Sequence, residues 1–195
     1  MARPRAFDTD QAITSAMNVF WRLGYEGASL PDLLEGMGLT RGSLYKAFTD
    51  KRSLFMTVFQ RYEEHAVAPA VALLNDDSIL DGIERIERLF QSVVKAVRDG
   101  DRRGCLLCSA AAGPASDDAE IAGVVSDLLM QMETGFAVAL SASHKHAALP
   151  SAERSELATL LMSQYVGLRI LVRAQTSADQ MEQSVTAVQK LLRGG

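Results

Sequence analysis

The feature that most constrains the fold is a spacing of apolar residues at three and four positions that recurs along the whole chain. This spacing collects apolar side chains on one face of an α-helix. Strand signals are nearly absent, because no Asn-Gly or Asp-Gly turn separates runs of alternating β-branched residues. We therefore expect an all-α fold of about nine helices, in which an N-terminal three-helix unit precedes a helical bundle.

Residues that cap helices indicate where the first helices begin. Four side chains of the types that accept hydrogen bonds from a first helical turn stand at Asp8, Ser29, Thr40 and Asp50. Gly24 ends the first helix. The pattern of the fourth helix continues to about Leu74, although Pro69 should kink or end it.

Composition sets the class of protein. The chain has 195 residues, of which 48% are hydrophobic and 23% charged, a balance that supports a folded core and excludes disorder of the whole chain. No apolar run approaches the ~18 residues of a membrane span, and the charged start lacks the apolar stretch of a secretory signal. Two cysteines cannot form a disulfide framework. We expect a cytoplasmic protein with no membrane partner.

The formal net charge of −4 is unevenly distributed. Residues 1–60 contain seven basic and six acidic side chains, whereas the remaining 135 residues contain 13 basic and 18 acidic ones. A near-neutral, locally basic segment on an acidic body is compatible with DNA binding but argues for it only weakly.

Residues 29–48 have the pattern of two short helices joined by a tight turn that contains glycine. A helix-turn-helix has this size, and its second helix enters the DNA major groove through its first turn. The side chains in that turn are Thr40, Arg41, Ser43 and Leu44. Arg41 has a donor fork suited to guanine, Ser43 can donate or accept, and Leu44 or Tyr45 suits a thymine methyl. The alternative is a plain helical hairpin inside a small bundle.

Contacts to the DNA backbone have their own candidates. Gly42 lets the helix approach the duplex closely, and Lys46 and Lys51 are placed to meet phosphates. The helix starts at Ser29 and Thr40 offer N–H groups to the same anions.

The stretch Thr40–Phe55, which reads Thr-Arg-Gly-Ser-Leu-Tyr-Lys-Ala-Phe-Thr-Asp-Lys-Arg-Ser-Leu-Phe, resembles the signature of the TetR family of bacterial transcriptional regulators. The upstream stretch Phe20–Leu30 fits the same family, so that the resemblance covers about residues 7–60. It implies an all-helical homodimer. The DNA-binding helix-turn-helix domain would occupy residues 1–50, and a ligand-binding and dimerisation domain would occupy residues 51–195.

The resemblance also assigns roles to residues. The positions that match Tyr45 and Lys51 hold phosphates in the family, and those that match Thr40–Ser43 face bases. This chain departs from the pattern at Pro31-Asp32, where the more usual Thr/Val-Arg would add a phosphate donor. It also has Lys46-Ala47 where an aromatic residue or Arg followed by His is frequent, so we expect Lys46 to supply a backbone contact.

The N-terminal arm contains Arg3, Pro4 and Arg5. An extended Arg-Pro-Arg segment can lie in a narrow minor groove, where the negative potential is enhanced. The alternative is a solvated terminus that contacts nothing.

Cys105 and Cys108 follow Arg102-Arg103-Gly104 at the start of a short apolar helix. Nearby cations and a helix N-terminus lower the pKa of a thiol, and the i, i+3 spacing places both sulfurs on one face. The Gly-Cys-Leu-Leu stretch resembles a branch of the TetR family that includes electrophile- and oxidant-responsive repressors. The alternative is that both residues are small buried hydrophobes.

Apolar side chains of the middle helices serve the core, a ligand pocket or both. The candidates for the pocket are Phe90, Val94, Leu107, Met132, Phe136 and Tyr165. Because few charges interrupt these faces, we expect a small apolar or weakly polar inducer. The last two helices carry apolar stripes, and in the family two such hairpins form the dimer interface.

Other function classes find little support. The chain has no Gly-x-Ser-x-Gly, phosphate-cradling Gly loop or His-Glu-x-x-His, so an enzyme is not expected. His144 and His146 lie in a polar loop without a ligand cluster, which predicts neither metal nor cofactor. We expect a repressor released from a palindromic operator by a small molecule. The alternative is a thiol-based repressor acting through Cys105 and Cys108, and the remote alternatives are a helical enzyme or an interaction module without DNA binding.

Overall fold

The computed structural model describes residues 8–194, which contain α-helices and no strand. The helices are α1 Thr9–Gly27, α2 Leu30–Met37, α3 Arg41–Ala47, α4 Lys51–Tyr62, α5 Ala68–Leu74, α6 Gly82–Arg98, α7 Leu106–Ala111, α8 Ala119–Ser141, α9 Ser151–Arg173 and α10 Ala178–Arg193. A π-helical turn, Glu63–Val67, makes α4 and α5 continuous, and a 3-10 turn, Pro114–Asp117, precedes α8. With α4 and α5 counted as one, this part of the chain has nine helices, as the sequence predicts.

The predicted N-caps are confirmed. The side chains of Asp8, Ser29, Thr40 and Asp50 accept hydrogen bonds from the first turns of α1 to α4. Gly24 has a φ of +75°, which breaks the regular path of α1 as expected, although helical hydrogen bonding resumes as far as Gly27.

Helices α1 to α4 form one unit, which we call the head, around a core of aromatic rings. The rings of Phe20 and Phe55 lie 4.7 Å apart between centroids, and Phe55 also contacts Tyr25 at 4.7 Å and Phe59 at 4.6 Å. Because Phe55 and Phe59 belong to α4, the core of the head extends past residue 50.

Pro69 neither ends nor sharply breaks the long helix. Proline has no N–H and its ring clashes with the carbonyl four residues earlier in an α-helix. The wider turn of a π-helix precedes it, in which the N–H of Ala68 donates to the carbonyl of Glu63. The chain then continues as α5 to Leu74, where the apolar pattern ends.

The remaining helices, α5 to α10, form the body. Helix α8 packs against α9, α6 and α5, while α10 packs mainly against α6. Helix α8 is long and apolar enough to cross a membrane by length and composition alone. Its apolar side chains Leu128, Met132, Phe136 and Leu140 are buried inside the bundle, whereas Met130 and Val138 are exposed.

Several polar contacts tie the head to the body. Arg52 of α4 forms ion pairs with Asp118 and Glu120 at the start of α8. Arg173 of α9 donates to the backbone carbonyl of Trp21 at 2.8 Å, at the end of α1. Helix α7 also packs directly against α1, so the two units share an extensive boundary.

Candidate DNA-binding surface and ligand cavity

The turn between α2 and α3 has the geometry of a helix-turn-helix. Gly38 closes α2 in the left-handed conformation with a φ of +64°, which glycine adopts at little cost. Thr40 then caps α3, since its Oγ1 accepts from the N–H of Ser43 at 3.3 Å and lies 3.0 Å from the Ser43 hydroxyl. Both predicted helices of the motif are therefore present and correctly bounded.

The exposed face of α3 carries most of the predicted DNA contacts. Arg41, Gly42, Tyr45 and Lys46 are exposed, and a Cβ placed on Gly42 would meet open space. The Arg41 guanidinium lies 5.7 Å from the centre of the Tyr45 ring, so the two side chains share one side of the helix. This face of α3 is open to solvent.

Leu44 is a correction to the predicted set. Its side chain is only 1% exposed and belongs to the core of the head. Because it lies on the inward face of α3, the predicted contact with a thymine methyl is wrong, and Tyr45 is the remaining candidate for that role.

Lys51 and Ser29 have partners within the head. The Lys51 ammonium lies 4.6 Å from the centre of the Tyr25 ring, which holds it beside the start of α4. The Ser29 N–H donates to the Asp32 carboxylate at 2.9 Å, and the Ser29 hydroxyl donates to the same group. A phosphate contact through Ser29 would have to displace Asp32, so the structure argues against Ser29 as a phosphate donor. Arg3 and Arg5 lie outside the described residues.

A cavity of about 350 Å³ lies in the body directly below the head. The end of α4, the π-helical turn and helices α5 to α9 all contribute to its wall. Three of the six side chains predicted for a pocket line it, namely Leu107, Met132 and Tyr165.

The other three predicted pocket residues are core residues that do not line this cavity. Val94 is fully buried and does not line the cavity. Phe90 and Phe136 lie behind Tyr165, with ring centroids 5.7 and 6.2 Å from it, so they support the wall rather than form it. Apolar periodicity gave no means to separate the layer that faces the cavity from the layer behind it.

Sequence reasoning missed three polar residues of the cavity wall, namely Tyr62, Ser92 and Arg169. Tyr62 is 3% exposed at the end of α4, and Arg169 is partly buried on α9. A signal for Arg169 exists in the sequence, because Met162, Tyr165 and Arg169 recur at helical spacing and all three line the cavity. The spacing places a cation on an otherwise apolar face.

Cys105 and Cys108 also line the cavity, in the same corner as Tyr62 and Arg169. The Tyr62 hydroxyl donates to Sγ of Cys105 at 3.4 Å. The pKa of Cys105 is lowered to about 6, chiefly because Cys108 donates a hydrogen bond to the thiolate, with help from Tyr62 and the positive Arg169. The pKa of Cys108 is raised, since its proton is held in that bond and its surroundings are desolvated.

The cation that acts on Cys105 is not one of the two predicted from its neighbours in sequence. Arg102 donates to the Thr176 carbonyl at 2.7 Å. The Arg103 guanidinium pairs with Asp101 and lies 4.2 Å from the centre of the Trp21 ring. Arg169, distant in sequence, takes their place.

A second, smaller cleft of about 270 Å³ adjoins the cavity on the side of the head. Cys105, Cys108 and Arg169 line both spaces, and Gly24 of α1 and Arg173 of α9 close the cleft. The three residues therefore form the partition between the ligand cavity and the boundary with the head.

The histidines show no metal-binding arrangement. His146 is 5% exposed, with Nδ1 lying 3.0 Å from the Ser143 hydroxyl, whereas His144 is exposed. Within residues 8–194 there is no group of three or more histidine, cysteine or acidic side chains placed to hold a metal ion.

The apolar stripes of α9 and α10 divide between the core and the surface. Leu161, Leu168, Val172, Met181, Val185 and Leu192 pack inside the body. Leu160, Ile170, Leu171 and Leu191 are between 37% and 62% exposed. The exposed members are the ones available to a second subunit, and the dimer remains a prediction.

Comparison with known proteins agrees with this geometry. A sequence model described as "Bacterial regulatory proteins, tetR family" matches residues 12–58, which span α1 to most of α4. The chain is 30% identical over 188 residues to the HTH-type transcriptional regulator YezE of Bacillus subtilis, covering 95% of this chain and 96% of YezE. It is 44% identical over 72 residues to the HTH-type transcriptional repressor ComR of Escherichia coli, covering 37% of this chain and 34% of ComR.

A solved structure shares the whole architecture. It contains a cysteine mutant of the TetR family transcriptional regulator CifR complexed with a 26-bp double-stranded operator DNA. That chain superimposes with a TM-score of 0.83 at 29% identity, covering 96% of this chain and 98% of CifR. The motif, the fold and the full-length relative lead to one assignment: the chain belongs to the TetR family, and it is a DNA-binding transcriptional regulator rather than an enzyme.

Proposed function

We propose that the protein is a repressor that binds a palindromic operator as a dimer and is released from it when a small, largely apolar molecule enters the cavity. Its DNA contacts come from Thr40, Arg41, Gly42, Ser43 and Tyr45, with Lys46 and Lys51 on phosphates. Because the protein acts on DNA, we expect it to be located in the cytoplasm. ComR, which is similar over the head, is described as a repressor, and this supports the sign of the regulation.

The observation that carries this proposal is the position of the cavity. Its wall includes Tyr62 at the end of α4 and two residues of the π-helical turn, Ala66 and Val67. The Tyr62 ring packs edge-on against Trp21 of α1, with centroids 5.2 Å apart. A molecule that pushes on Tyr62 therefore acts on the two helices that support the DNA-binding motif.

We expect ligand binding in the cavity to affect operator binding by changing the separation of the two recognition helices of the dimer. A dimer reads two half-sites about one turn of DNA apart only when its two recognition helices have the matching separation. Movement of α4 changes that separation, so a ligand that binds better to the mismatched state shifts the population off the DNA. The ion pairs of Arg52 with α8 and the bond from Arg173 to α1 transmit the movement.

The dimer proposal uses the exposed apolar side chains of α9 and α10. Ile170 is 51% exposed and Leu191 is 62% exposed, values that favour coverage by a second copy. Replacement of Ile170 by Arg should convert the dimer to monomer in sedimentation velocity and weaken operator binding. A dimer that persists in Ile170→Arg would assign the interface elsewhere.

The test of the ligand step compares two variants that each gain a phenyl ring. Ala96 lines the cavity, whereas Ala72 is exposed on α5 outside it. Small apolar molecules should release wild-type protein and Ala72→Phe from operator DNA in an anisotropy assay. They should fail to release Ala96→Phe, which still binds the DNA. Equal release of all three proteins would place the ligand outside this cavity.

A second candidate function is supported by the thiol cluster. Cys105 has a lowered pKa, accepts from Tyr62 and borders the cleft against α1. Two of the similar structures contain cysteine mutants of CifR. In this alternative, the Cys105 thiolate adds to the double bond of an electrophile such as N-ethylmaleimide, and the adjacent carbon takes a proton from solvent.

The thiol alternative has its own test on the same DNA. N-Ethylmaleimide and diamide should release wild-type protein, with diamide gaining the two hydrogens that Cys105 and Cys108 lose as they form a disulfide. A thiol reductant should reverse the effect of diamide only. If Cys105→Ser responds to N-ethylmaleimide as wild type does, the cysteine alternative is wrong while the ligand-released repressor stands.

A further inference from the structure

We propose that the cavity selects a molecule that has an apolar body and one anionic group, such as a carboxylate, and that Arg169 binds the anion. This inference rests on the proposed function, and it replaces the expected apolar or weakly polar inducer by an apolar monoanion.

Arg169 is a cation that forms no ion pair with an aspartate or glutamate in the described part of the chain. Its Nη2 donates to the carbonyl of Gly104. None of the ion pairs formed among residues 8–194 includes it. Its charge acts on Asp101, but both oxygens of that carboxylate accept from Arg103, at 3.0 and 2.7 Å.

The partly buried charge of Arg169 has an energetic cost. A charge removed from water is costly unless an opposite charge or hydrogen bonds compensate it. Burial lowers the pKa of Arg169, but its neighbours Tyr165, Tyr62 and Cys105 more than offset this and raise the pKa, so the guanidinium stays charged. An entering carboxylate would supply the opposite charge and accept charge-assisted hydrogen bonds from the guanidinium.

Polar and apolar side chains occupy different parts of the cavity wall. Arg169 and the Tyr62 hydroxyl occupy one corner, whereas the walls formed by Leu73, Leu89, Leu129 and Met132 are apolar. A volume of about 350 Å³ suits a small molecule with one polar end. Because Arg169 also lines the adjoining cleft, an anion bound to it lies at the partition next to α1.

The Cys105 thiolate is the competing anion. It faces the same guanidinium and contributes to the raised pKa of Arg169. A ligand carboxylate and the thiolate therefore compete for one cation. A bound ligand should therefore displace the Cys105 thiolate from Arg169. This changes the environment of Cys105, on which the thiol alternative depends.

The experiment uses two fluorescent probes that differ only by an anionic group, anilinonaphthalenesulfonate and its neutral analogue N-phenylnaphthylamine. Wild-type protein should bind both, the sulfonate more tightly. Arg169→Gln should lower the affinity for the sulfonate probe by about tenfold, as expected for loss of one charge-assisted pair. The affinity for the neutral probe should not change. Arg169→Lys, which keeps the charge, should restore part of the preference.

A carboxylate pair extends the test to the proposed ligand class. Phenylbutyrate should displace N-phenylnaphthylamine from wild-type protein at concentrations about tenfold lower than its amide, phenylbutyramide, for the same reason. On Arg169→Gln, phenylbutyrate and phenylbutyramide should displace N-phenylnaphthylamine at the same concentration. The comparison of acid with amide on wild-type protein needs no variant. It therefore remains decisive if circular dichroism shows that Arg169→Gln is not folded.

The outcomes separate this inference from the proposed function. Equal binding of both probes, or equal displacement by acid and amide, overturns the role of Arg169 while leaving an apolar ligand cavity intact. Failure of the neutral probe to bind, or equal binding of it to wild type and to the cavity-filling Ala96→Phe, contradicts both the cavity as a ligand site and this inference.

Discussion

The DNA-binding surface of the head and the cavity of the body are built in different ways. The candidate DNA contacts from Thr40 to Lys51 lie within twelve consecutive residues, and most of them are exposed. The cavity wall takes residues from α4 to α9, so its members are spread over more than 100 residues of sequence. A local pattern can therefore name the first set, while the second depends on how six helices pack.

The errors follow the same division. In the head, buried Leu44 is next to exposed Tyr45, and the sequence pattern did not show that the Leu44 side chain points into the core. In the body, half of the predicted pocket residues lie behind the cavity wall, and Arg169 is absent from the predicted set. Four predictions follow from this contrast between local and assembled sites, in order of decreasing effect.

The largest effect distinguishes a residue of α3 that stabilises the fold, Leu44, from a residue that contacts DNA, Tyr45. Replacement of buried Leu44 by Ala should lower the free energy of unfolding by about 2–5 kcal/mol, because it leaves a cavity in the core. The adjacent Tyr45→Ala, at a position 45% exposed, should change stability by less than about 0.5 kcal/mol and still weaken operator binding. Chemical denaturation measures both. If Leu44→Ala has the same free energy of unfolding as wild type, Leu44 is not a core residue and is again a candidate for a DNA contact.

The second effect tests whether Arg41 reads a base. Arg41→Ala should cost about 1–3 kcal/mol on the best operator and relax the preference at a single base-pair position. Binding to a library of operator variants gives both values. An equal loss on every sequence would reassign Arg41 to a phosphate.

The third effect concerns Lys51, whose ammonium is held beside Tyr25 at the start of α4. Lys51→Ala should weaken all DNA sequences alike and reduce the slope of log affinity against log salt by about 1. Lys51→Arg, which keeps the charge, is the matched control and should preserve the slope. A change in base preference in Lys51→Ala would contradict a pure phosphate contact.

The smallest effect is on the chemistry of the cavity corner. A lowered pKa means that Cys105 is deprotonated at pH values where an ordinary thiol, with a pKa of about 8.5, is not. Its alkylation by iodoacetamide should be half-maximal near pH 6 and rise with pH through that value. Cys108→Ala removes the main hydrogen bond to the thiolate and should move the midpoint upward, as peptide mass spectrometry can show. A midpoint near that of a free thiol in wild type would mean that the cluster does not stabilise the thiolate.

The sequence predicts the fold well because helix boundaries depend on local chemistry. The caps at Asp8, Thr40 and Asp50 and the glycines at 24 and 38 act within one turn of themselves. The continuation through Pro69 could not be anticipated, because it requires a π-helical turn that a propensity argument does not weigh. Arg169 acts on a cysteine more than 60 residues away, and only the packing of α7 on α9 brings them together.

The most direct test of the account is the affinity of the protein for the DNA immediately upstream of its own gene, measured by fluorescence anisotropy against a scrambled duplex at two salt concentrations. The account predicts one dimer per palindromic site, a specific affinity exceeding the non-specific one by about 10³ or more, and a relaxed preference in Arg41→Ala. Equal affinity for the two duplexes, with a salt dependence that Arg41→Ala and Lys51→Ala reduce to the same extent, would contradict sequence reading by α3.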